Sequence, residues 1–245
     1  MESDENLALA AAIDRIWTDH PAFGSRKITQ MLRRQGGVPA NRKRVRRLMG
    51  LMGIASLAPG PRTTRANPAH IKYSYLLREV VVDHPNQAWA ADITYIPHVK
   101  GFMYLVAIID WNSLKVLSWR LSNTMSTDFC VSALTEALPL YGAPEIFNTD
   151  HGSQYTSDDF REMLRLSQMD QSMGTVGDSF DNAMAESLWA SLKKELVYRT
   201  TFHTRKEART AVFDWIQWYN RKRLHSSIDY LSPIQFEQAA TIQAA

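Results

Sequence analysis

The sequence has almost no cysteine. One thiol, Cys130, in 245 residues excludes a disulfide framework and a cysteine-based structural zinc site. Long apolar runs are missing too. The longest, Phe102 to Ile109, is far short of the ~20 residues that a membrane span needs. Acidic residues directly after Met1 (Glu2, Asp4, Glu5) are not those of a secretory leader. The expectation is a soluble protein of a reducing compartment, cytoplasmic and with no membrane partner.

The most informative absence is of negative charge. Residues 20–78 hold 13 Lys/Arg and no Asp/Glu, residues 79–192 hold 5 against 15, and residues 193–223 hold 9 against 3. A net charge of +3 conceals this basic–acidic–basic order. A single basic run is usually a solvated face. An acid-free stretch this long points instead to segments that hold a polyanion around a middle with another task.

Apolar residues at 9, 12, 13 and 16 predict a helix over Leu7–Trp17. Ser25 is the expected N-cap of a second helix carrying Ile28, Met31 and Leu32, ending at Gly36-Gly37. Asn41 is the expected cap of a third, Arg42–Met52, with Val45, Leu48 and Met49 inward. The last two form a helix-turn-helix pattern. Arg42, Lys43, Arg44, Arg46 and Arg47 make the outer face of the third helix almost wholly basic, suited to phosphate contacts in a major groove.

A Pro/Gly-containing basic linker follows over 58–72. The pattern then changes to strands at Ala88–Ile96, Phe102–Ile109 and Val116–Leu121, joined by short turns as an antiparallel meander. Helices at Thr127–Tyr141, after Ser157 and over about 180–197 alternate with short strands at Glu145–Asn148 and Gln171–Met173. This is a mixed α/β domain. The tail is helical again, opened by a Thr204/Glu207 capping box and closed by a short helix after Ser232-Pro233.

Three acids in the middle region are out of keeping with their settings. Asp92 sits mid-strand between apolar neighbours, Asp150 just past a strand end, and Glu186 on a helix face shared with Asn182, Ala190, Lys193 and Lys194. Alone, each reads equally well as a solvated or turn residue. Together, a strand Asp, a strand-end Asp and a helix Glu can converge on one point. Three hard oxygen donors suit Mg²⁺ or Mn²⁺, and two such ions can drive phosphodiester displacement. Lys193 and Lys194 follow Glu186 by roughly 10–12 Å along the helix at 1.5 Å per residue, in reach of the backbone of a bound DNA end.

WAADITYI with Asp92, NTDHGSQYTS with Asp150 and FDNAMAESLWASLKKE with Glu186 closely resemble the Asp, Asp, 35-residue gap, Glu signature of integrase-core transposases. FGSRKITQMLRR and NRKRVRRLMG resemble the helix-turn-helix before that core, and YNRKRLHSSIDYLSPIQFE is similar to its C-terminal motif. The chain is thus similar to the second-frame protein of bacterial insertion sequences of family three. The resemblance implies an RNase H-like mixed-sheet core, with an N-terminal helix-turn-helix domain and a C-terminal helical tail. Expected boundaries are 1–57 for the DNA-binding domain, 58–78 for the linker, 79–197 for the core and 198–245 for the tail.

The resemblance also implies metal-dependent cleavage and strand transfer of element ends, without a covalent protein–DNA intermediate. Asp92, Asp150 and Glu186 would be catalytic residues and ligands of two Mg²⁺ or Mn²⁺ ions. Arg26, Lys27 and Arg223 join the basic helix and the Lys193/Lys194 pair as expected DNA contacts, with His151 and Asn182 as auxiliaries. The implied partners are inverted-repeat ends, target DNA, further copies of the chain on DNA and a first-frame protein, in the nucleoid. The chain departs from the family's Asp-x-x-Ser-Arg pattern in having Leu114 after Asp110 and Ser113, and from Ser-Asp-Arg-Gly in having Thr149-Asp150-His151-Gly152. An inactive DNA-binding relic is the alternative, although all three acids are present. A retroviral integrase would bring a His-His-Cys-Cys zinc module that one cysteine cannot supply, and an RNase H nuclease would not need the basic arms.

Overall fold

A computed structural model describes residues 3–36, 40–56, 75–78, 80–173 and 182–243. The expected linker over 58–72 and the start of the last core helix at 180–181 lie outside the described residues. The chain divides into two compact units, Met1–Arg62 with Lys193–Arg199, and Thr63–Leu192 with Thr200–Ala245. The helical tail therefore belongs to the same unit as the sheet, not to a separate domain.

In the first unit, α1 (Asp4–Asp19) starts at Ser3, whose side chain accepts the Asn6 N–H, and buries Leu9, Ile13 and Ile16. Asp4 and Glu5 in its first turn complement the helix dipole. The next helix, α2 (Ser25–Arg34), is capped by Gly24 with no side-chain bond. Ser25, the expected cap, is instead its first helical residue, with its carbonyl accepting the Thr29 hydroxyl at 2.7 Å. Asn41 caps α3 (Arg42–Leu51) as expected, its Oδ1 accepting the Arg44 N–H at 2.8 Å. All three helices pack on one another, with Ile28, Leu32, Val45, Leu48 and Met49 buried.

The second unit is built on five strands: β1 (Ala88–His98), β2 (Gly101–Asp110), β3 (Val116–Ser122), β4 (Ile146–Thr149) and β5 (Asp170–Met173). Their spatial order is β3-β2-β1-β4-β5. The meander β1–β2–β3 is antiparallel, while β4 pairs parallel with β1 and β5 parallel with β4. The two parallel additions need crossovers, supplied by α4 (Asp128–Tyr141) and α5 (Asp158–Leu166). Ser157 caps α5, with Asp158 and Asp159 in its first turn.

Side chains alternate across a strand. Trp89 and Ala91 enter the core with Val106, Ile108, Phe129, Ala133, Phe147 and Phe160, under α4 and α5. Asp92 therefore projects from the other face. On β1 that sheet also carries α7 (Arg205–Arg221), which opens with the Thr204/Glu207 capping box and buries Ala208, Val212, Trp215, Ile216 and Tyr219. The last helix, α8 (Pro233–Gln243), packs on α7.

The turn after β2 holds the first of the two departures from the pattern it resembles. Buried Asp110 accepts the Ser113 N–H at 2.7 Å, the Ser113 hydroxyl at 2.8 Å and the Asn86 N–H at 2.6 Å. Leu114 takes a left-handed backbone (φ 63°), a conformation that L side chains adopt at a cost of roughly 1–2 kcal/mol. The neighbouring cation, Lys115, pairs with Glu237 of α8 at 2.6 Å, so the turn is tied down by the tail.

Candidate active site

Asp92 and Asp150 are brought together by strand register. In the parallel β1–β4 pair, Ala90 lies opposite Asn148. Two residues further along each strand stand Asp92 and Asp150, on the same face by parity and on strands ~4.8 Å apart. β4 ends at Thr149, which leaves Asp150 at the mouth of the sheet, where it is exposed. Asp150 Oδ1 accepts the Gly152 N–H at 2.9 Å, so the turn aims its own carboxylate.

Glu186 comes from α6 (Ala183–Glu195). Its N–H donates to the Asn182 carbonyl at 3.0 Å. The buried face of α6 is Ala185, Leu188, Trp189 and Leu192. Trp189 donates its indole N–H to Asp92 Oδ2 at 3.0 Å, and the Ile93 N–H donates to Oδ1 at 2.7 Å. Asp150 and Glu186 both act on the electrostatics of Asp92. Burial pushes the Asp92 carboxyl up to about 7, the Asp150 charge adds to the rise and Glu186 adds less, while the two hydrogen bonds oppose it. Among the described residues, no three His, Cys, Asp or Glu side chains form a ready-made metal cluster. Asn182 Oδ1, one turn before Glu186, is buried with no hydrogen-bond partner among the described residues. His151 is partly buried beside Asp150.

The expected DNA contacts divide. Arg26, Arg42, Lys43, Arg46 and Arg47 are exposed. Arg44 is partly buried and tied to α1, with Nη2 3.0 Å from Glu5 and Nε donating to Asn6 Oδ1 at 2.7 Å. The Lys27 ammonium sits 4.9 Å over the Phe23 ring. Lys193 is partly buried, and Lys194 Nζ donates to Ser56 Oγ at 2.9 Å. Arg223 is inside the fold, 7% exposed. Its Nη2 donates to Ser191 Oγ of α6 at 2.8 Å, and its guanidinium lies 5.5 Å over the Tyr219 ring. This arginine is a strut between the tail and α6, not a surface presented to phosphate.

Sequence reasoning missed two residues of the site. Gly152 sets the Asp150 turn, and Trp189 grips Asp92. The spacing of Trp189, three residues after Glu186, already puts it on the same helix side.

An HTH-like domain matches residues 3–62, and integrase core domains match residues 82–179 and 186–240. The transposase of insertion sequence element IS904 from Lactococcus lactis is 35% identical over 96% of this chain and 95% of its own length. That of IS629 from Shigella sonnei is 34% identical over 94% and 79%, and InsF of IS3A from Escherichia coli 37% over 88% and 76%. Among solved structures, the HTLV-2 integrase catalytic core in complex with magnesium matches at TM-score 0.50 and 20% identity, over 62% of this chain and 97% of its own. The simian T-cell lymphotropic virus intasome matches at TM-score 0.55 and 16% identity, over 92% and 74%. These two likenesses speak for the fold. Identity of this order over 76–95% of the length of these transposases, on an integrase-core sheet, makes the chain a member of the IS3-type family of insertion-sequence DNA transposases.

Proposed function

We propose that this transposase cuts the DNA ends of its element and joins them to target DNA by two-metal phosphodiester chemistry at Asp92, Asp150 and Glu186. The observation that carries the reading is geometric: the β1–β4 register sets Asp92 beside Asp150, and Trp189, three residues after Glu186 on α6, donates to Asp92 Oδ2 at 3.0 Å. Burial and the Asp150 and Glu186 charges together raise the proton affinity of Asp92. A desolvated carboxylate with like charges beside it, as Asp92 is, is costly until a cation neutralises it. The donors are hard oxygens, as Mg²⁺ and Mn²⁺ require, and the orphaned Asn182 Oδ1 is a further oxygen for an ion or its water. The residues present fit a divalent ion.

Asp92, Asp150 and Glu186 would hold Mg²⁺ or Mn²⁺, which when bound supplies charge neutralisation at the scissile phosphate and activation of the attacking oxygen. Asp92 is held by Ile93 and Trp189, and Asp150 accepts from Gly152. His151 and Asn182 flank the acids as auxiliaries. The exposed face of α3, with Arg42, Lys43, Arg46 and Arg47, takes phosphates, its first turn nearest the base edges. Lys193 and Lys194 steady the DNA end, Lys194 by exchanging Ser56 for phosphate. The working form is an oligomer of this chain on inverted-repeat ends in the nucleoid, assembled with a first-frame protein.

A gel assay with labelled element ends tests the reading. Mg²⁺-dependent nicking and joined products are expected. End binding with no metal-dependent product would leave a DNA-binding relic.

A further inference from the structure

Trp189 is 6% exposed, and an indole buried this far needs an acceptor for its N–H. The acceptor is a carboxylate oxygen 97 residues away in sequence, Asp92 Oδ2 at 3.0 Å. The other oxygen, Oδ1, accepts from Ile93 N–H at 2.7 Å. One donor on each oxygen fixes the plane of the carboxylate and leaves lone pairs on both. A benzyl side chain would fill most of the same space without donating anything.

The same contact sets α6. Trp189 follows Glu186 by three residues, so the two share a side of the helix. Docking the indole on Asp92 therefore fixes the rotation that turns Glu186 towards β1. Two residues on, Ser191 accepts from Arg223 at 2.8 Å, which pins that rotation at a second point.

We propose that Trp189 is a positioning residue of the reaction: its indole N–H orients the Asp92 carboxylate and seats α6 so that Asp92 and Glu186 address the same divalent ion. The proposal rests on the metal reading above. A donor to a metal ligand acts through the ligand's orientation and basicity, and its loss typically weakens metal affinity or activity by about 10–100-fold.

The test is Mn²⁺ affinity, measured by calorimetry on the full chain without DNA, for wild type, Trp189→Phe and Asp92→Ala. It is joined by the indole ¹H–¹⁵N spectrum, in which the seven tryptophans give seven signals. Trp189→Phe is expected to bind Mn²⁺ roughly ten- to a hundredfold more weakly while melting close to wild type. The signal it removes is expected to move in wild type when Mg²⁺ is added, and to be displaced by Asp92→Ala. Equal Mn²⁺ affinity of Trp189→Phe and wild type overturns the proposal and leaves the metal site standing. A wild type that binds no better than Asp92→Ala overturns the metal site and this proposal together. If Trp189→Phe does not fold, the wild-type spectrum decides: the indole signal displaced by Asp92→Ala must also move with Mg²⁺, and its staying put overturns the proposal.

Discussion

Gly152 lies so close to Asp150 that a Cβ built on it would stand 2.9 Å from Asp150 Oδ1, the same oxygen that accepts the Gly152 N–H at 2.9 Å. The glycine is needed for room. Its backbone is not left-handed, unlike that of Gly36, Gly53 or Gly142. What the missing methyl leaves is the place of a carboxylate.

Gly152→Ala should therefore separate stability from activity. The obstructing atom is the end of a flexible side chain, so the carboxylate swings aside cheaply and the melting temperature should stay near that of wild type. A carboxylate displaced by about 1 Å costs on the order of a hundredfold in rate. Cleavage assays with parallel thermal melts check this, and a fully active Gly152→Ala would contradict the geometry.

The raised proton affinity of Asp92 carries a pH dependence. Between the ordinary value of 3.8 and about 7, the folded chain holds a proton that the unfolded chain has lost. Unfolding free energy then falls as pH rises through that window. Each tenfold change in proton affinity is worth about 1.4 kcal/mol, so the loss is of the order of a few kcal/mol. Urea melts of metal-free protein from pH 4 to 8 should show the decline, and Asp92→Asn should flatten it. Mg²⁺ above pH 7 should restore stability by favouring the ionised form.

On α3, Arg42, Lys43, Arg46 and Arg47 are exposed, whereas Arg44 is partly buried, with Nη2 3.0 Å from Glu5. Replacing the four should lower end affinity and reduce the salt slope by roughly 0.9 for each phosphate that is no longer neutralised. Arg44→Ala should mainly loosen the three-helix unit. Fluorescence anisotropy across a salt series distinguishes the two classes.

Arg223→Ala should destabilise by about 2–3 kcal/mol, since it removes a buried, charged donor from partly buried Ser191 Oγ. End affinity per folded molecule should not change. Chemical denaturation and anisotropy measured on the same preparations would show it.

The candidate acids are legible in the sequence only as a set: Asp92 stands among apolar strand neighbours, while Asp150 and Glu186 read as ordinary turn and helix residues until the three are taken together. The order of the elements is legible as well, since the period switches from helical to alternating at Ala88, alternates between helix and short strand after Ser122, and is helical from Thr204 on. Tertiary partners are not. Trp189 on an amphipathic helix reads as plain core, because nothing local shows that an indole N–H meets a carboxylate on β1. The buried face of α6 runs through Ala185, Leu188, Trp189 and Leu192, and only the fold shows that Trp189 meets Asp92 there. Arg223 sits in a basic run and reads as a DNA contact. Only the fold shows Ser191 and Tyr219 enclosing it. Gly24 takes the capping place expected of Ser25, a shift of one residue that side-chain chemistry alone does not determine.

The most direct measurement is single-turnover strand transfer of pre-cleaved labelled ends in Mg²⁺, comparing wild type with Asp92→Asn, Asp150→Asn and Glu186→Gln. These changes keep shape and remove charge. Each variant is expected to bind ends like wild type and to lose roughly three or more decades in rate, the several kcal/mol that metal-based charge stabilisation provides. A variant that binds ends normally and keeps a tenth of the wild-type rate would contradict the three-carboxylate site.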